Sequence, residues 1–183
     1  MKTKDYIIKT ILSSLNDIHS DSINKSIIIY KLVRELYERN HDITSNYAFQ
    51  WAYIAYYGLS HYKKDDIPHY FQVLQKHIEK KDVAMDISCI MKELQTEKRH
   101  YVFASKLMNF VDDSKYPIVD SRISKVFWFR PSDSYENRYL CITNVYKELK
   151  DTEVIKRYLS RYDFSGIGIM KQLDILVWNI IST

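Results

Sequence analysis

A chain of 183 residues with 46% hydrophobic residues can bury one substantial core. Only 3 Gly and 3 Pro leave little material for hairpins or long loops, so a single, almost all-helical domain over residues 1–183 is expected. The formal charge of +4 is modest, two cysteines without CxxC spacing exclude a disulfide framework and point to a reducing, cytoplasmic setting, and no apolar run is long enough to span a bilayer.

Apolar periodicity predicts a first helix over about Lys4 to Asn16, with Ile7, Ile8, Ile11, Leu12 and Leu15 facing inward. After a polar turn at 19–22, a second helix runs to about Arg39 on Ile23, Ile27, Tyr30, Val33, Leu36 and Tyr37. Its β-branched run at Ile27, Ile28 and Ile29 reads equally as a strand, but the flanking stripe keeps the helical period and favours helix. Thr44 or Ser45 opens a third helix, Tyr47 to Gly58, which carries aromatic residues on more than one face. Core packing accounts for such a helix by itself. The functional alternative is that Trp51, Tyr53 and Tyr57 line a pocket for a nucleobase, where stacking on an aromatic ring is worth about 1–3 kcal/mol.

A fourth helix is expected from Asp66-Ile67-Pro68, with the proline in its first turn, to about Lys81, and a fifth from about Asp82 through Met85, Cys89, Ile90 and Leu94. The histidines and cysteines show no ligand spacing, so no metal and no cofactor is assigned. The charged turn Glu97-Lys98-Arg99-His100 is either a solvated corner or a phosphate contact.

The stretch from Phe103 to Ile123 carries the chemistry. Phe103, Leu107, Phe110 and Val111 mark a buried helical stripe, and Lys106 borders it beside Phe103 and Phe110. Pro117 biases Tyr116 toward extended backbone, and Asp120 or Ser121 caps the next helix, which carries Arg122, Ile123, Lys125, Val126 and Phe127 and stops at Arg130-Pro131. In the bland reading Lys106 snorkels to solvent and Asp120 is only a cap. Residues 97–130 hold seven Lys or Arg against four Asp or Glu, which concentrates positive charge here and favours an anionic partner.

An eighth helix follows on Tyr135, Tyr139, Ile142, Val145 and Leu149, and a short ninth on Val154, Ile155, Tyr158 and Leu159. The Gly166-Ile167-Gly168 turn, which either merely turns the chain or exposes amides to a phosphate, precedes a last helix on Ile169, Met170, Leu173, Leu176, Val177 and Ile180.

The run Ala104-Ser105-Lys106, an apolar helix, a short loop and Tyr116-Pro117-Ile118-Val119-Asp120-Ser121-Arg122 resembles the catalytic segment of the helix-hairpin-helix DNA glycosylases, the superfamily of 8-oxoguanine glycosylase and endonuclease III. Residues 173–178 resemble the last helix of small bacterial members. The glycine-rich hairpin usual before the lysine is replaced by residues 94–102, which hold no glycine, and two cysteines cannot supply an iron–sulfur cluster. The resemblance implies about ten helices in two lobes divided near residue 81, with Lys106 and Asp120 as the catalytic pair at the cleft and DNA as the partner. Lys98, Arg99, Arg122, Lys125 and Arg130 would form a basic rim. The function implied is removal of a damaged or modified base, in DNA repair or defence against phage DNA. The alternatives are a non-catalytic nucleic-acid or nucleotide binder and a protein-interaction subunit.

Overall fold

The computed structural model describes residues 2–59, 64–80, 83–95 and 101–180. Among them are ten α-helices and no strand: α1 Lys4–Ser13, α2 Ser20–Arg39, α3 Tyr47–Tyr57, α4 Ile67–Glu79, α5 Ile87–Glu93, α6 Tyr101–Val111, α7 Ser121–Val126, α8 Tyr135–Leu149, α9 Glu153–Leu159 and α10 Ile169–Ile180. The isoleucine run of α2 is helical, because Ile23, Ile27, Tyr30 and Val33 bury one continuous stripe. None of the described helices is long and apolar enough to cross a membrane.

Helix starts follow local capping chemistry, and some differ from the boundaries expected from sequence. The α1 helix tightens into a 3-10 turn at Ser14–Asp17 instead of continuing to Asn16. Asn46, not Thr44 or Ser45, caps α3 by accepting from the Phe49 amide, because both hydroxyls are engaged by the Asp42 carboxylate. The α5 helix starts later than expected, at Ile87, where Asp86 accepts from the amides of Ser88 and Cys89. The α7 helix ends at Val126, before the proline, because Trp128 takes a left-handed backbone conformation at φ 50°.

One hydrophobic core runs from Ile7 on α1 to Val177 on α10. The expected division near residue 81 lies outside the described residues, and α4 packs directly on α6 across it. At the centre, α10 packs against both α2 and α7, and α2 packs along α3. This arrangement leaves a cavity of about 1460 Å³ with α2 and α3 on one wall and α6, α7 and α10 on the other.

The turn at Gly168 packs directly on the turn at Asp113 and Ser114. A β-carbon on Gly168 would stand 2.3 Å from Asp113 Oδ1 and 2.5 Å from the Ser114 amide nitrogen, and the following turn is tied back by the Lys171 amide, which donates to the Asp113 carbonyl. Gly168→Ala should therefore destabilise the protein by about 2 kcal/mol, as overpacking of a close backbone contact does. Denaturant titration checks this, and an unchanged midpoint would show that the two turns separate freely.

Candidate functional site

The α6 helix is buried over eight successive residues, Phe103 to Phe110, so its polar members must find partners inside the protein. Ser105 donates to the Val102 carbonyl and accepts from the Val119 amide at 3.0 Å. Asn109 donates to the Tyr116 carbonyl at 2.7 Å and to Asp174 Oδ2 at 3.3 Å. Asp174 in turn accepts from the Ile118 amide at 3.1 Å. The Tyr116 hydroxyl accepts from the Met85 amide. The extended segment after Tyr116 is thus pinned at consecutive backbone groups to α6 and α10, and it delivers Asp120 in a fixed place.

Lys106 is 7% exposed and lines the cavity. Its Nζ donates to the carbonyl of Tyr57, the last residue of α3, and lies 5.9 Å from the Phe103 ring centroid. Burial lowers its pKa from 10.5 to about 8, against the attraction of Asp120, which acts in the opposite direction. Asp120 lines the same cavity and caps α7, with Oδ1 accepting from the Ile123 amide at 2.8 Å. Lys106 and Asp120 are therefore brought to one cavity by the rigid connection between α6 and α7.

The remaining expected site residues divide. Arg122 lines the cavity with its guanidinium 3.9 Å from the Trp178 ring centroid, whereas Lys125 and Arg130 are exposed on and after α7 and do not line it. Lys98 and Arg99 lie outside the described residues. Of the three aromatic residues proposed to line a base pocket, Tyr57 does so. Trp51 does not: it is 74% exposed, because the row it shares with Tyr47 faces solvent. Tyr53 does not either, since it is fully buried among Phe49, Phe71 and Phe110 and shares a hydrogen bond of 2.9 Å with the Tyr70 hydroxyl. Tyr56, next to Tyr57 at the end of α3, also takes a place in the cavity wall.

Two further charged residues on α10, Lys171 and Asp174, line the cavity, at 4% and 3% exposure. Lys171 Nζ lies 5.0, 4.7 and 4.8 Å from the ring centroids of Tyr30, Tyr56 and Tyr57, and burial lowers its pKa to about 8. Burial pushes the Asp174 carboxyl well above the usual carboxylate range, against the opposing pull of Lys171 and the Ile118 amide. The sequence carried no signal for either: both lie off the apolar stripe of α10, where periodicity expects solvent, and only tertiary packing buries them. Among the described residues no cluster of His, Cys, Asp or Glu could hold a metal ion.

No protein-family model matches the chain, and no curated protein or solved structure matches it significantly.

Proposed function

We propose that the protein is a DNA glycosylase with lyase chemistry, in which Lys106 is the nucleophile and Asp120 the charge-stabilising carboxylate. The observation that carries this reading is a buried lysine with a pKa of about 8 in one cavity with a carboxylate. At pH 7 about a tenth of such an amine is neutral, against about one part in three thousand for an ordinary lysine. The cavity, about 1460 Å³, is roomy enough for a nucleotide turned out of its stack. The resemblance of residues 104–122 to the glycosylase catalytic segment supports the same assignment, and the exposed Lys125 and Arg130 offer positive charge near the site for a phosphate backbone.

In this mechanism the neutral Lys106 amine attacks C1′ of the extruded nucleotide as the C1′–N bond breaks and the base leaves with its electron pair, to be protonated on release. Asp120 stabilises the positive charge that builds on the sugar. Transfer of a proton from the new ammonium to O4′ as the C1′–O4′ bond opens gives a protonated imine between Lys106 and C1′ and a free sugar hydroxyl. Borohydride reduces that imine to a stable amine.

The test is borohydride trapping on oligonucleotides carrying oxidised, alkylated, deaminated, carboxylated or abasic positions, single-stranded and in duplex. An adduct on one intact modified base, absent in Lys106→Ala, is the expected result, with trapping half-maximal near pH 8 because the amine titrates there. Abasic sites capture stray amines, so the variant decides the outcome. Salt-sensitive binding without a Lys106-dependent adduct or base release would replace this reading with a non-catalytic nucleic-acid binder, a second reading favoured by the bond from Lys106 to the Tyr57 carbonyl, which caps α3.

A further inference from the structure

Lys171 is buried more deeply than Lys106, and its surroundings differ in kind. Among the described residues its Nζ has no hydrogen-bond acceptor and no ion-pair partner. The acidic groups that influence it are committed elsewhere. Both oxygens of Asp174 accept from the Ile118 amide and Oδ2 also from Asn109. Asp113 Oδ2 accepts from the Tyr30 hydroxyl at 2.9 Å. Asp120 Oδ1 caps α7.

What holds the amine is the set of three tyrosine rings. Their faces attract a cation, but they accept no N–H···O hydrogen bond, and a buried ammonium carries three donors that need oxygen. The group lines the cavity, next to apolar wall formed by Ile29, Val33 and Ile175. A cation with no hydrogen-bonded or ion-paired carboxylate among the described residues, placed on the wall of a space this size, is complementary to a ligand that brings the missing acceptor.

We propose that Lys171 is the anion-recognition group of the cavity and that the cavity's ligand presents a negatively charged oxygen, a carboxylate or a phosphate, to this ammonium. This deepens the glycosylase reading: with Lys106 at the sugar, the group at Lys171 selects a nucleotide by an anionic substituent. The source of that oxygen is either the base edge or a phosphate, and the recognition chemistry is the same. Arg122 lines the same cavity with its guanidinium against the Trp178 indole face.

Calorimetric titration at pH 7 tests this with four small probes. Orotate carries a carboxylate on a pyrimidine edge and 6-methyluracil is its neutral counterpart; uridine 5′-phosphate and uridine form the second pair. One anionic probe should bind the native protein about tenfold or more tightly than its neutral partner, the size expected of a charge-assisted hydrogen bond. That advantage should fall to about twofold or less in Lys171→Met and in Lys171→Gln, and it should persist in Lys106→Met, which removes the other cavity amine. Preference for orotate assigns the charge to the base and preference for uridine 5′-phosphate assigns it to phosphate.

Equal binding of charged and neutral partners by the native protein, or binding of none of the four, overturns the proposal whatever the variants do. So does a preference that survives both Lys171 substitutions, and the glutamine variant decides if the methionine variant does not fold. Trapping at Lys106 is a separate readout. Anion preference without a Lys106-dependent adduct or base release removes the glycosylase reading and keeps the anion site, whereas an adduct without anion preference does the reverse.

Discussion

Lys106→Met should be more stable than the native protein at pH 7, by about 2 kcal/mol, although it removes a hydrogen bond. Moving this amine from 10.5 to about 8 on folding costs the native state about 3 kcal/mol, because the charged form that dominates at pH 7 is the form that burial disfavours. Against this, the Tyr57 carbonyl loses its partner, a loss of about 1 kcal/mol. Methionine fills a similar volume without a charge.

The sign with pH follows from the same two values. Below about pH 8 the lysine is protonated in both folded and unfolded chains, and the cost is present in full. Between about 8 and 10.5 the unfolded chain holds a proton that the folded one has released, so the native protein gains on the variant by about 1.4 kcal/mol per pH unit. Lys171 does not cancel in the difference: Lys106 lowers its pKa, so losing Lys106 relieves Lys171 and adds to the variant's advantage at pH 7. Guanidinium unfolding of both proteins at pH 7 and pH 9.5 measures it. A variant less stable than the native protein at pH 7 would make Lys106 a net stabilising cap and would remove the reason to regard it as held ready for chemistry.

Asp120→Asn separates the chemistry of the site from its architecture. Asparagine caps a helix about as well as aspartate, so the Ile123 amide keeps its partner and stability should change little. Base release or adduct formation should nevertheless fall by about 100-fold or more, since the developing sugar cation loses its counter-charge. The trapping profile should also move to lower pH. Burial depresses the Lys106 pKa, Asp120 opposes that depression, and removing the carboxylate leaves burial unopposed. Single-turnover rates from pH 6 to 10 give both quantities. A slower reaction with an unmoved midpoint would mean that the carboxylate acts on the sugar without acting on the amine.

The helical class was legible from the scarcity of glycine and proline and from stripes such as that of α2, where four buried residues keep one period over several turns. The common placement of Lys106 and Asp120 was an expectation of the family resemblance, and in the structure Pro117 and the cap before α7 help fix the chain between them. The wall opposite them was not legible. The α3 helix has aromatic residues around its circumference, so periodicity could not decide which row faced the cavity, and tertiary packing turned Tyr47 and Trp51 outward and Tyr56 and Tyr57 inward. Lys171 was not legible, because it lies off the apolar stripe of α10 and tertiary packing, not periodicity, buries it. Asp174 was not legible either, since its hold on the Ile118 amide depends on a contact 56 residues away in the chain.

The bond from Lys106 to the Tyr57 carbonyl has a stereoelectronic consequence. When the amine is neutral it keeps two hydrogens and one lone pair, and only a hydrogen can face a carbonyl oxygen, because two filled orbitals repel. The end of α3 therefore acts as a compass for the nucleophile. It claims one N–H and excludes the lone pair from its own direction, which leaves those electrons to point elsewhere around the nitrogen before any electrophile arrives.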